Sequence, residues 1–317
     1  MIRFTALRLL EIAAMLALLS FAIYGLIGLM PGDPIDLMRS ADPHVTAADL
    51  ARLKALYGVG QPLLSRYLAW AGQALAGDLG YSRLFAAPVW QTLLPRLGNS
   101  LILMGASFTV ALVLSLPLGI FAARRPGSRL DAAINLFCFA GVSVPTFWLA
   151  LVLILIFAAR LNWLPASGIA SAGVGGFQDH LRHLILPVAT LSLASLGSYT
   201  RYVRAAMREA LAQDHVRTAR AKGASETRIV FHHALRAALI PVVPILALSF
   251  GGLVSGALVT ETMFAYPGMG RLIYDAVMGN DYNLALAALL LAAVVTMLGN
   301  LLADLAYLWL DPRVSYR

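Results

Sequence analysis

Residues 214–241 read DHVRTARAKGASETRIVFHHALRAALIP and lie between two long apolar stretches. Asp214 can cap the start of a helix, and Ala219 and Ala221 favour continuing it. Gly223 can end that helix, and Ser225 can cap a second one that runs towards Pro241. A short helix held in a polar loop between apolar stretches has two readings. It is a solvated loop, basic as cytoplasmic loops usually are, or a knob on which another protein docks.

The rest of the chain sets the context. Its 317 residues are 60% hydrophobic and 13% charged, with a mean hydropathy of +0.77. A soluble domain of that composition would expose large apolar areas, so the class is an all-α polytopic membrane protein. The net charge of +8 does not indicate nucleic acid, because the basic residues cluster between apolar stretches. Cys138 is the one cysteine and lies in an apolar run, which excludes an intrachain disulfide or a cysteine metal cluster.

A membrane-crossing helix needs about 20 mostly apolar residues. The sequence predicts six, over 9–30, 99–122, 133–158, 184–206, 239–262 and 284–310. The first follows Arg3 and Arg8 but is too long for a signal peptide, and no small-residue cleavage site follows at Met30–Asp33. Arg124, Arg125 and Arg129, the cluster from Arg201 to Arg236, and Arg313 and Arg317 fall on the side of the N-terminus. The short loops on the other side hold only Arg160, Arg182 and Arg271. Both termini are therefore expected in the cytoplasm. Residues 31–98 form a long external segment. Thr46 and Asp49 suggest a capping box before Leu50, Leu53 and Leu56, and Gly58 and Gly60 break that helix. Pro62 suits the first turn of another, with Leu64, Tyr67, Leu68 and Ala71 as its apolar face. This segment reads either as a hairpin on the outer membrane surface or as part of a receiving face for a delivery protein.

The string Arg217-Thr218-Ala219-Arg220-Ala221-Lys222-Gly223 resembles the coupling ("EAA") loop of permease subunits of bacterial ATP-binding-cassette importers. It is most similar to the dipeptide/oligopeptide/nickel permeases, which share a basic residue where the general importer pattern has an acidic one, here Arg217. Further strings resemble that branch in order: Gly77-Asp78-Leu79-Gly80-Tyr81-Ser82, Ser143 to Trp148, Trp163 to Gly168, Glu261-Thr262-Met263-Phe264, Pro267 to Gly270, and Asp311-Pro312-Arg313. The long external segment resembles the first type of their two paired permeases.

The resemblance implies a type I importer permease core over 99–310, with the coupling loop at 207–238. The first helix and external segment, 1–98, precede it, and a cytoplasmic tail, 311–317, follows. It implies a bacterial inner-membrane location and a small solute, most simply a di- or oligopeptide. The implied partners are a second permease subunit, two ATPase subunits and an extracytoplasmic binding protein, with lipid around the spans. Asp214, Arg217, Thr218, Ala219, Arg220, Lys222, Gly223 and Ala224 are the residues implied to meet the ATPase.

Several further residues stand out by their own chemistry. Gly252, Ser255 and Gly256 form a small-residue stripe suited to close helix packing or to a gate. Glu261 can cap or pair near the external gate. Pro145 should kink the third span. Thr296, Asn300 and Asp304 share a helix face, and Asp304 can meet an arginine such as Arg125 or Arg201. His180 and His183 are expected in a wet outer loop. No H-E-x-x-H, Ser–His–Asp or phosphate-binding G-x-x-x-x-G-K-[ST] pattern occurs, so the chain is read as no enzyme, with no cofactor of its own and ATP hydrolysed elsewhere. A proton-coupled secondary transporter is the alternative; it would call for internal repeats and midplane polar groups.

Overall fold

The computed structural model describes residues 2–28 and 61–310; the side-chain surroundings of 2–4, 244, 247–256 and 306–310 are not described. The expected capping box at Thr46 and the helix after it lie outside the described residues. The elements are helices α1 (Ile2–Gly28) and α2 (Leu63–Leu75), strands β1 (Tyr81–Ser82) and β2 (Ala87–Pro88), then α3 (Val89–Arg124), α4 (Arg129–Ser143), α5 (Thr146–Leu153), α6 (Phe177–Ala212), α7 (Asp214–Ala221), α8 (Leu235–Met263), α9 (Met269–Met278) and α10 (Tyr282–Leu310).

Among the described residues four helices, Thr5–Gly28, Val89–Arg124, Phe177–Ala212 and Tyr282–Leu305, are long and apolar enough to cross a membrane. The third expected span is instead two helices bent by 100°, Arg129–Ser143 and Thr146–Arg160, the latter ending in a π-helical turn. The cause is Pro145, which lacks an N–H and holds Val144 extended at φ −85° and ψ 123°. The expected kink is therefore a full break. Helix α8, of 29 residues, runs over 239–262, where the sequence predicts the fifth span; the surroundings of Gly252, Ser255 and Gly256 on it lie outside the described residues.

Contacts divide the chain into two compact units. In the first, Met1–Leu97 with Leu272–Val295, helix α2 meets α1 through Tyr67. Its ring lies edge-on to Phe21 at 5.2 Å, and its hydroxyl is 2.7 Å from Ser20 Oγ. Tyr67 and Trp70 are thus the half-buried residues of α2 that meet α1, with Leu63 at its edge near Gly25 and Gly28, while Leu64 and Leu68, expected on the packed face, are exposed, as Leu63 is. The G-D-L-G-Y-S string closes onto the start of α10. Buried Ser82 donates to Asp281 Oδ2 at 2.6 Å, and the Leu84 N–H donates to the same oxygen at 2.9 Å. Asp281 Oδ1 in turn caps α10 through the Leu284 N–H at 3.3 Å.

In the second unit, Gly98–Arg271 with Thr296–Arg317, α6 packs against α4 and α8. Gly119 faces Val203 so closely that a Cβ would sit 2.6 Å from its side chain. One buried cluster gathers Leu103, Ala150, Leu186, Leu191, Phe264 and Tyr266. A second gathers Ile120, Ala123, Met207 and Ala210 with Val216, Ile229, Val230 and Ala234. His183 belongs to α6 and is buried, with Nδ1 2.9 Å from the Asp179 carbonyl oxygen, not in a wet loop. Asp179 receives both the N–H and the hydroxyl of Ser171, which fastens the preceding loop to α6.

Candidate functional site

Helix α7 begins after Gln213, whose extended backbone (φ −71°, ψ 153°) breaks it from α6. Asp214 is therefore the first helical residue and not the cap; its carboxylate lies 3.6 Å from Arg217 Nη1. The far end closes as the residues predict. Gly223 takes φ +80°, the Gly223 N–H donates to the Arg220 carbonyl at 3.0 Å, and the Ala224 N–H reaches back to Ala219 at 3.1 Å. Those two bonds make a Schellman motif, which needs a left-handed residue where Gly223 stands. Ser225 then caps the next turn through the Arg228 N–H at 3.4 Å.

The two faces of α7 differ. Val216 and Ala219 are buried, and Val216 belongs to the cluster of Ile229 and Met207. Ala219 is buried within the chain. Asp214, Arg217, Thr218, Arg220, Lys222 and Gly223 are exposed, and Ala224 is half-buried. Thr218 donates to the Asp214 carbonyl at 3.0 Å. Arg220 spends its guanidinium within the chain, with Nε donating to Glu226 Oε1 at 2.9 Å. That bond, followed by the fields of Arg220 and Arg124, holds the Glu226 carboxyl below its usual range against some desolvation. A depressed carboxyl contributes above its unperturbed value of 4.5 and loses that contribution as pH falls through the folded value. Amide protection at Ala224–Glu226, corrected for intrinsic exchange, should therefore be highest near neutrality and fall as the pH drops from 4.5 through the lowered folded value. Glu226→Gln should remove that pH dependence; unchanged dependence in the variant would assign it to another group.

A second site surrounds Glu261 at the end of α8. Its carboxylate is fully buried, accepts the Ser100 hydroxyl, and takes the Arg271 N–H at 3.1 Å. Ser100 Oγ also accepts the Met269 N–H at 2.8 Å, and Asn99 Nδ2 donates to the Pro267 carbonyl at 2.8 Å. Gly268 leaves the room the carboxylate needs: a Cβ there would overlap it. Burial and then the Glu261 charge push the neighbouring Tyr266 phenol up to about 12. The E-T-M-F and P-G-M-G strings are thus two sides of one knot tied to the start of the second unit's part of α3.

The chain has relatives among known proteins. Residues 115–316 match the model of the family "binding-protein-dependent transport system inner membrane component". The chain belongs to this family. It is 39% identical over 288 residues to the oligopeptide transport system permease protein AppB of Bacillus subtilis (strain 168), covering 90% of each chain. It is 38% identical to the di/tripeptide transport system permease protein DppB of Pseudomonas aeruginosa (strain UCBPP-PA14), over 95% of this chain and 94% of that one. Among solved structures, a chain of the MetNI methionine ABC transporter in an inward-facing conformation superposes with a TM-score of 0.59 at 18% identity, over 70% of this chain and 97% of that chain. The protein is thus an inner-membrane permease component of an ABC importer.

In this permease, one pair was not legible as a pair. Asp131, buried at the start of α4, takes Arg204 Nε at 2.7 Å and Nη2 at 2.8 Å in a bidentate bridge. The same carboxylate accepts the Gly127 N–H at 2.9 Å, while the Asp131 N–H donates to Ser128 Oγ at 3.2 Å. The S-x-x-D spacing of Ser128 and Asp131 was the available signal. Arg204, 73 residues away, left none. Among the described residues, no cluster of three or more metal-ligating side chains occurs.

Proposed function

We propose that this permease carries small peptides inward, paired with a second permease subunit, and that two ATPase subunits drive it through residues 214–224. The peptide assignment is supported by the oligopeptide and di/tripeptide systems of its relatives. The coupling assignment is carried by one observation: α7 has an exposed outer face and an inner face built into the core. A close-packed interior transmits displacement with little compression. Force applied to Arg217 or Lys222 therefore reaches α6 through Met207 and Ala210, and the start of α8 through Ile229 and Val230. The Arg220–Glu226 bridge ties α7 to the turn that follows it, so the two move together. An extracytoplasmic binding protein delivers the solute, and the pathway alternates between inward- and outward-facing states. The chain itself performs no chemistry.

The test is uptake of a labelled dipeptide into vesicles holding the co-expressed subunits. Uptake that follows ATP supply, with no ATP turnover by the purified permease alone, is the expected result. Uptake driven by a proton gradient without ATP would favour the secondary-transporter reading. The same reading places six spans in the membrane with both termini in the cytoplasm. Cysteines introduced within 207–238 should then be shielded from external reagents in whole cells, and cysteines within 61–88 should be labelled. The reverse pattern would invert the topology.

A further inference from the structure

The ends of α3 and α6 and the coupling loop enclose a cleft of about 520 Å³. Arg124, Arg125, Arg208 and Arg220 line it, with Glu226 as its one acidic residue. Its floor is apolar, from Ala123, Leu211 and Val230. Arg220 is matched by Glu226 at 2.9 Å. Among the described residues Arg125 and Arg208 form no ion pair. Arg124 is the last residue of α3 and Ala212 the last of α6, so two helix C-termini meet here, each bringing about half a negative charge. Four guanidinium groups, less Glu226 and the two helix ends, leave about two positive charges unmatched. Like charges held this close repel unless an anion joins them.

The geometry points to a binding site for the phosphate headgroup of an acidic phospholipid, seated where these helices leave the cytoplasmic face of the membrane. Basic pockets between transmembrane helices on that face select such headgroups. The amphipathic build fits the ligand, since guanidinium groups pair bidentately with phosphate oxygens and the apolar floor suits the glycerol and the first methylenes. Arg220 lies on α7 and Glu226 in the turn that follows it, so an occupied cleft would brace α7 against α3 and α6. The lipid source rests on the orientation proposed above; the binding measurement is made in detergent and does not depend on it, while cysteine labelling tests the orientation by itself.

The experiment uses the full chain purified in detergent with its co-expressed subunits. Retained lipid is counted by native mass spectrometry during titration with phosphatidylglycerol, phosphatidylcholine or sodium phosphate. The expected result is one phosphatidylglycerol held per chain, at a concentration at least tenfold below that needed for phosphatidylcholine. Arg125→Gln with Arg208→Gln should erase that preference. Arg129→Gln with Arg160→Gln, which removes the same charge elsewhere, should keep it. All four side chains are exposed, so neither pair removes core packing. Equal binding of the two lipids, or an unchanged preference in the Arg125/Arg208 variant, overturns the proposal. Full competition by millimolar phosphate overturns the lipid source and leaves a free-anion site. A preference that appears only after the ATPase subunits are removed gives the cleft to a protein contact and overturns it as well.

Discussion

Gly223→Val should leave the permease in the membrane at normal abundance and lower solute uptake roughly thirtyfold. A left-handed residue with a branched side chain is strained by about 2 kcal/mol, and each 1.4 kcal/mol is tenfold in a population. No atom lies within 4 Å of where a Cβ at Gly223 would stand, so the penalty is confined to the backbone at φ +80°. It falls on the Schellman closure, while Val216 and Ala219 can keep the inner face seated. Gly175→Val is the matched control, since Gly175 also has a positive φ, +53°, and open space around it. Gly223→Asn should retain most of the uptake, because asparagine tolerates the left-handed region. Membrane abundance, ATPase co-purification and uptake are measured together. Normal uptake by the valine variant at normal abundance would remove the coupling role from this loop.

The other large effect is expected at Glu261. Glu261→Ala should destabilise the permease by about 3 kcal/mol, the scale for deleting a buried charged acceptor and leaving its donors unmet. The Ser100 hydroxyl and the Arg271 N–H both lose their acceptor, and the room beside Gly268 becomes a cavity. Glu261→Gln keeps the shape and one acceptor oxygen, so its cost should be nearer 1 kcal/mol. Gly268→Ala should reproduce much of the alanine effect from the opposite side of the contact, by forcing the carboxylate out of place. Thermal midpoints in detergent and the amount of protein in the membrane read all three. An alanine variant as stable as the parent would show that the knot around Glu261 is not what holds the end of α8.

The sequence reading went furthest where causes are local. Gly223 and Ser225 were legible because a helix stop and a helix cap each depend on a few neighbouring residues. The loop between the apolar stretches was legible because hydropathy and basic residues sort along the chain itself. Asp214, expected as the cap, is the first helical residue, because the extended backbone at Gln213 begins the helix a residue earlier. Pro145 was seen as a disturbance, but its 100° consequence depends on what each half-helix packs against.

By itself, then, the sequence determined the membrane class, the apolar segments, the helix–glycine–serine punctuation of the coupling loop and the family to which these strings belong. The tertiary structure alone decided which faces and partners are used. Nothing in the stretch around Val216 tells whether its side chain points to the core or to solvent; its place beside Ile229 and Met207 does. Ser82 and Asp281 stand 199 residues apart, Ser100 and Glu261 161 apart, and Asp131 and Arg204 73 apart. Each is an ordinary polar residue in its own segment. The reason is physical: a buried polar group must find a partner, but which partner reaches it is set by how the helices pack.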